Sequence, residues 1–149
     1  DGAIFVTNDQ DNDADMIDDL IHELAHAAED IYAREIYSDN KIQREFLGKR
    51  KRLRDLIYEY GYLDNASDVS FTDIEYSKEL DDFLYKDLGY DKLETFCTGL
   101  FIRPYAVTSI REYFATALEH YLLEDPSYVM RISPVAFEKV AMVCNVDEV

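Results

Sequence analysis

The chain has 149 residues, 48% of them hydrophobic, and its 32 acidic and 15 basic side chains give a net charge of −17. This hydrophobic content, with twelve Tyr and eight Phe, excludes a disordered chain and predicts a single domain that buries a core. The charge argues against DNA or RNA as a partner, and no apolar run is long enough to span a bilayer.

A short β-prone run lies close to the start of the chain. The sequence from Ala3 to Thr7, AIFVT, predicts a strand, and the polar residues 8–13 predict a turn after it. The chain opens with Asp-Gly rather than Met and has no basic-then-apolar leader, so we expect a processed product or a domain of a longer protein.

A long amphipathic helix with an acidic N-cap is predicted over about residues 13–37. Its apolar residues recur at helical spacing: Met16, Ile17, Leu20, Ile21, Leu24, Ala28 and Ile31. The helix contains the pattern H-E-x-x-H, as His22, Glu23 and His26. Residues four apart share a helix face, so both imidazoles can bind one zinc ion while Glu23 reaches a zinc-bound water. The pattern predicts a zinc-dependent peptidase.

Three further helices are predicted in the middle of the chain, the first two of them ended by a glycine. They cover Lys41 to Tyr60, Thr72 to Leu88 and Asp91 to Cys97. Seven of the fifteen basic residues lie between Lys41 and Arg54. Such a cluster has two interpretations. It is a patch that binds nucleic acid or an acidic partner, or it is the solvated face of a helix whose charge is balanced by acidic neighbours. We favour the solvated face.

The last third of the chain is predicted to be mostly helical. Residues 99–107, interrupted by Pro104, predict an extended segment or loop, and Ser109 begins a helix that runs to about Leu123 and is closed by Asp125-Pro126. A last helix is predicted from Ser133-Pro134. The two cysteines, Cys97 and Cys144, are expected to be buried free thiols rather than a disulfide or metal ligands.

A catalytic zinc site needs a third protein ligand besides His22 and His26. The extended pattern H-E-x-x-H-x-x-G-x-x-H is excluded, because positions 29 and 32 carry Glu and Tyr rather than Gly and His. Five side chains elsewhere in the chain are candidates: Glu112, Glu119, His120, Glu29 and Asp30.

Spacing alone leaves the choice among these candidates open. Glu112 lies three residues after Ser109, in a capping-box pattern whose Glu satisfies a backbone N–H instead of binding a metal. Glu119 lies on the same helix face as Glu112, where it is suitably placed to be the hydrogen-bond partner of a zinc-bound histidine. His120, late in the helix, is expected at the surface.

The segment HELAHAAEDIYA, residues 22–33, resembles the active-site helix of the anthrax-lethal-factor-like peptidases, a family that includes the clostridial Pro-Pro endopeptidases. In that family a tyrosine stands seven residues before the glutamate ligand, which is followed by Tyr or Phe and then Phe-Ala. Tyr105 and the run from Glu112 to Ala115 reproduce this spacing, and the tail with Pro126, Pro134 and Phe137 is similar to the closing helices of the family. The resemblance covers about residues 14–37 and 101–143.

Three departures from the family pattern are visible. Ala25 replaces the glycine that usually precedes the second histidine, and Thr116 stands where lethal factor has another glutamate. The interval between His26 and Glu112 is also much longer than in lethal factor. Residues 39–99 therefore look like a helical insertion, in which substrate choice is expected to differ.

The resemblance implies a predominantly helical α+β fold, a zincin-like catalytic domain over residues 1–149 with a small N-terminal sheet or strand. It implies Zn²⁺ held by His22, His26 and Glu112, and Tyr105 as the donor to the oxyanion. Glu23 would be the general base, and the substrate an extended peptide, for which the strand at Ala3 to Thr7 is either a docking edge or an ordinary core strand. The resemblance also favours a protein that is secreted or delivered as part of a longer chain.

Two other functions are compatible with the sequence. The chain could be a catalytically inactive binding or structural module of a toxin or virus particle that keeps a metallopeptidase fold, although the complete set of five site residues argues against this. It could also be a zinc hydrolase of non-peptide amides. The sequence identifies neither the substrate nor the oligomeric state.

Overall fold

The structure is a computed structural model that describes residues 13–62 and 69–145. Over these residues the chain forms eight α-helices, joined by loops, by a π-helical segment at Phe83–Gly89 and by a 3-10 turn at Pro104–Val107. The α-helices are α1 (Asp13–Ile31), α2 (Ala33–Tyr37), α3 (Lys41–Glu59), α4 (Lys78–Asp82), α5 (Tyr90–Cys97), α6 (Ile110–Leu123), α7 (Pro126–Ile132) and α8 (Pro134–Cys144).

The predicted α+β class is wrong, because residues 13–62 and 69–145 contain no strand or sheet. In these two ranges the apolar residues are spaced for helices, whose backbone hydrogen bonds are satisfied within each segment. The predicted strand at Ala3 to Thr7 lies outside the described residues. Over the described residues the architecture is helical, in place of the expected zincin-like fold with a small sheet.

Helix boundaries differ from the predictions at three places. The first predicted helix is interrupted at Tyr32, between α1 and α2. The helix predicted from Thr72 begins only at Lys78, because the hydroxyl of Ser77 caps it by accepting a hydrogen bond from Leu80 N. Asp125-Pro126 not only ends α6 but also begins α7, since Asp125 accepts a hydrogen bond from Ser127 N.

Helix α6 is the centre of the fold. It packs against α1, the 3-10 turn, α7 and α8, and its buried residues face in all directions: Ile110, Tyr113, Phe114, Ala115, Thr116, Ala117, Leu118 and Glu119. A helix apolar on most of its circumference belongs inside a protein. Two acidic residues of α6 contact α1: Glu112, which is partly exposed, and Glu119, which is buried.

The basic cluster of α3 is divided between surface and core. Lys51 and Arg52 are exposed and lie near Asp55 and Glu59, as expected for a solvated face. Arg50 instead is completely buried. Its guanidinium donates hydrogen bonds to the carbonyl oxygens of residues 71, 73 and 107, at 3.2, 3.0 and 2.6 Å, and lies over the ring of Phe46.

Replacing Arg50 with Ala is expected to lower the free energy of unfolding by about 3 kcal/mol or more, because three carbonyl groups lose their donor and a cavity forms. Urea denaturation followed by circular dichroism measures this change. Lys51→Ala, at an exposed site on the same helix, is the control and should change stability by no more than about 0.5 kcal/mol. Equal effects of the two substitutions would contradict a structural role for Arg50.

The two cysteines are free, as predicted. Cys97 is buried, whereas Cys144 is exposed, contrary to the prediction that both are buried. Burial raises the pKa of Cys97 to about 12, so its thiol is neutral at physiological pH. In the two described ranges no helix has the length and hydrophobicity needed to cross a membrane.

Candidate metal centre

Helix α1 presents His22 and His26 toward α6. The two residues are one helical turn apart, and their ring centroids lie 4.8 Å from each other with the rings perpendicular. Both imidazoles are partly shielded from solvent, with about a fifth of each side chain exposed. The helical periodicity of α1 therefore places both rings at the same point of the α1–α6 interface.

Glu112 meets both imidazoles from the first turn of α6. Its Oε2 atom lies 2.9 Å from Nε2 of His22, and its Oε1 atom lies 2.8 Å from Nε2 of His26. The backbone N–H of Glu112 donates to Oγ of Ser109 at 3.1 Å. Ser109 thus caps the helix while the carboxylate of Glu112 faces the histidines, so the capping-box pattern and the histidine contacts coexist at this residue.

Glu119 contacts the far side of His22. Nδ1 of His22 donates to Oε2 of Glu119 at 3.0 Å, and Oε1 of Glu119 accepts a hydrogen bond from Nη1 of Arg103 at 3.1 Å. A carboxylate on the second ring nitrogen is the usual partner of a metal-binding histidine. Nδ1 of His26, in contrast, is buried and has no partner among the described residues.

The donor atoms of His22, His26 and Glu112 all lie within 4.8 Å of one another. Tetrahedral zinc ligands, at about 2.1 Å from the ion, lie about 3.4 Å from each other. The contacts of 2.8 and 2.9 Å between Glu112 and the histidines must therefore lengthen by about 0.5 Å for an ion to fit. The donor set of two imidazoles and one carboxylate is one that zinc uses in catalytic sites.

The electrostatics of the cluster favour a positive charge. Hydrogen bonds to Glu112 and Glu119 raise the pKa of His22 to about 10, against the opposing effect of burial. Burial alone would raise the pKa of Glu112, but the hydrogen bonds from His22 and His26 outweigh it and lower the pKa to about 2. Both carboxylates around His22 are consequently ionised at neutral pH, and a proton or a metal cation can balance them.

Glu23 and Tyr105 line the same open cleft as His26 and Glu112. The cleft has a volume of about 440 Å³, and Tyr76, Ser109 and Arg111 complete its lining. The ring of Tyr105 is 51% exposed, and its centroid lies 6.3 Å from that of His22. The 3-10 turn holds Tyr105 in place, because Oγ1 of Thr108 donates to its carbonyl oxygen at 2.9 Å.

The three remaining ligand candidates lie outside this cluster. Glu29 is buried, where it accepts hydrogen bonds from the hydroxyl of Tyr37 and from Nε of Arg111. Asp30 is exposed and pairs with the same Arg111 at 3.0 Å. His120 lies against the ring of Tyr128, near the C-terminus of α6. None of the three belongs to the group of converging donor atoms found in the described part of the chain.

Three residues of the site were missed by sequence reasoning: Tyr76, Arg103 and Arg111. Tyr76 was assigned to a helix that begins two residues later in the structure, and no local pattern marks it as part of a site. Arg111 directly precedes Glu112 in the sequence, so its proximity could have been anticipated. Arg103 lies sixteen residues before Glu119 in the sequence, and only the packing of the chain shows that the two side chains form a hydrogen bond.

A larger cleft, of about 520 Å³, lies between α3 and α5 and is lined by aromatic residues that include Tyr60, Tyr62 and Phe96. None of the histidine and carboxylate groups of the metal centre lines this larger cleft, so the size of a cleft does not show which one has side chains suited to catalysis.

In comparisons with known proteins, no family model, no curated protein and no solved structure matches this chain.

Proposed function

We propose that the chain is a zinc-dependent endopeptidase that hydrolyses peptide bonds with a metal-activated water. The observation that carries this proposal is the convergence of the donor atoms of His22, His26 and Glu112 within 4.8 Å, in a partly shielded place beside an open cleft. The resemblance to the lethal-factor-like peptidases supports it, because the family pattern assigns ligand roles to the same three positions.

His22, His26 and Glu112 would hold the zinc ion. When bound, zinc lowers the pKa of a coordinated water toward neutrality and polarises a carbonyl group. Glu119 orients His22 by accepting the hydrogen bond from Nδ1, and Arg103 orients Glu119 in turn. Nε2 of His22 is thereby kept facing Glu112.

Glu23 is the general base of the proposed reaction. It stands next to His22 in α1 and lines the cleft with its side chain exposed. From there its carboxylate accepts a proton from the attacking water and passes it to the leaving amine. A residue on a helix is held more precisely than one on a loop, which suits this role.

Tyr105 is the proposed donor to the oxyanion of the tetrahedral intermediate. Partial burial and then the nearby carboxylate of Glu112 raise the pKa of its phenol, so the hydroxyl keeps its proton at neutral pH and remains a donor. A donor directed at the charge that develops in the transition state is worth about 100-fold in rate.

Replacing Tyr105 with Phe is expected to lower kcat about 100-fold, with one zinc retained per chain, because the substitution removes only the hydroxyl. Steady-state kinetics on a cleaved peptide and metal analysis of the purified protein measure both quantities. Tyr58→Phe, at an exposed tyrosine of α3 outside the cleft, is the matched control. A Tyr105→Phe variant with unchanged kcat would remove Tyr105 from the mechanism.

The decisive experiment for the function is digestion of a proteome-derived peptide library by the zinc-loaded chain, with chelator-treated protein as control. Zinc-dependent cleavage inside peptides supports the proposal. Stoichiometric zinc with no peptide cleavage would instead favour hydrolysis of non-peptide amides, and absence of zinc binding would favour an inactive binding or structural module.

The exposed side chains of Glu23 and Tyr105 leave the cleft open to the surface, which suits an extended peptide as substrate. From the resemblance we further propose that the protein is secreted or delivered as part of a longer chain.

A further inference from the structure

Tyr76 lies in the cleft of the metal centre but has no part in the proposed mechanism. It belongs to the loop between α3 and α4, inside the segment 39–99, and it lines the cleft together with Glu23 and Tyr105. Its side chain is 59% exposed. A large aromatic side chain left accessible beside a reactive centre is available to a ligand.

The backbone around Tyr76 is anchored on both sides. Ile74 O accepts a hydrogen bond from Ile110 N at 2.9 Å, which joins the loop to the start of α6 only two residues before Glu112. On the other side, Ser77 caps α4 through the N–H of Leu80. The ring of Tyr76 is therefore exposed on a fixed backbone, the combination expected of a binding surface rather than of a loose loop.

The buried Arg50 joins this loop to the turn that carries Tyr105. Nη1 of Arg50 donates to the carbonyl oxygens of Phe71 and Asp73, and Nε donates to that of Val107, two residues after Tyr105. Burial lowers the pKa of Arg50 to about 10, so it remains charged at neutral pH. One guanidinium thus sets the position of the loop before Tyr76 and of the turn after Tyr105.

The charges that surround Tyr76 disfavour an acidic ligand group. The hydroxyl of Tyr76 donates to Oδ2 of Asp81 at 3.3 Å, so the part of the side chain left for a ligand is its ring. Glu23 and Glu112 line the cleft and oppose an acidic group, whereas Arg111, which also lines it, is already paired with Glu29 and Asp30. An aromatic side chain satisfies these conditions and gains from ring contact with Tyr76.

We propose that Tyr76 is a substrate-contacting residue, the wall of a subsite that accepts an aromatic side chain of the peptide near the cleaved bond. This inference rests on the proposed endopeptidase function. This subsite gives the segment 39–99 a direct part in substrate choice. Tyr76 belongs neither to the H-E-x-x-H pattern nor to the zinc ligands.

The test uses three acetyl-glycyl hydroxamates that differ only in the residue bearing the hydroxamate, which is Phe, Ala or Lys. Their dissociation constants are measured by calorimetry on the zinc-loaded whole chain and on its Tyr76→Ala and Tyr76→Phe variants. The unmodified chain should bind the Phe compound about fivefold more tightly than the Ala compound, as expected for an aromatic pair. Tyr76→Phe should keep this preference and Tyr76→Ala should lose it. Tyr58→Ala, at an exposed tyrosine away from the cleft, should leave it unchanged.

Zinc stoichiometry, measured first, separates the two proposals. Zinc binding with the same Phe preference in Tyr76→Ala and in the unmodified chain would overturn the role of Tyr76 and leave the metal centre intact. A preference for the Lys compound that disappears in Tyr76→Ala would overturn the aromatic subsite in favour of a basic one. A chain that binds no zinc would overturn both the proposed function and the subsite.

Discussion

Replacing Glu23 with Gln is expected to lower the rate of peptide cleavage about 1000-fold, while one zinc ion is still bound per chain. The amide is nearly isosteric with the carboxylate but cannot accept the proton of the attacking water, and general base catalysis is worth about 100- to 10,000-fold. Because Glu23 is absent from the group of converging donor atoms, its substitution should not weaken metal binding. Cleavage of a fluorogenic peptide and metal analysis of the same preparation measure the two quantities.

Asp18→Asn is the matched control for this experiment. Asp18 is an exposed acidic residue of the same helix and does not line the cleft, so its substitution removes an equal charge without touching the site. It should leave cleavage within about twofold of the unmodified chain, since exposed positions away from a site have small effects. A Glu23→Gln variant as active as this control would exclude Glu23 as the general base.

Replacing Glu112 with Ala is expected to abolish both zinc binding and cleavage. The substitution removes the only carboxylate that contacts Nε2 of both histidines among the described residues, which leaves two ligands where a catalytic site needs three. Removing the hydrogen-bond partner of a metal ligand lowers metal affinity by up to about 100-fold. Removing the ligand itself should therefore lower the affinity for zinc by more than about 100-fold. Competition with a chelating dye measures it.

Glu119→Gln provides a graded comparison with Glu112→Ala. Glu119 contacts His22 only through Nδ1, so its substitution should lower zinc affinity by about 10- to 100-fold. The helix itself should survive both substitutions, because the Ser109 hydroxyl caps the backbone of α6 independently of the Glu112 side chain. If Glu112→Ala still bound one zinc per chain, the third ligand would have to be another residue.

The predictions that succeeded rest on periodic patterns. The spacing of apolar residues in α1 was sufficient to place His22 and His26 on one face of the helix. The glycines and prolines at the predicted helix ends located most of these ends to within a few residues. The choice of Glu112 needed a family resemblance, because its spacing from Ser109 fits a cap and a ligand equally well. In the structure the Ser109 hydroxyl caps the helix and the Glu112 carboxylate faces the histidines.

The predictions that failed depend on contacts between distant segments. Arg50 lies in a run of basic residues that indicates a solvated surface, yet its acceptors are carbonyl groups 21, 23 and 57 residues away in the sequence. Residues 72–77 are predicted as the start of a helix, but Arg50 and Ile110 bind the carbonyl groups of Asp73 and Ile74 instead. The α+β class was implied by the family resemblance, with the run at Ala3 to Thr7 as its strand, and the described residues fold without a sheet.

The buried guanidinium of Arg50 connects the two aromatic sides of the cleft, which are the loop that carries Tyr76 and the turn that carries Tyr105. We expect a substitution that displaces Arg50 to release the carbonyl groups of both Asp73 and Val107, and so to change the shape of the cleft without contacting any ligand. Glu75 and Tyr76 lie between the anchored points Ile74 and Ser77, so substitutions at these two positions are expected to reshape one side of the cleft alone. A search for altered selectivity by mutagenesis should therefore begin with these two positions and leave Arg50 unchanged.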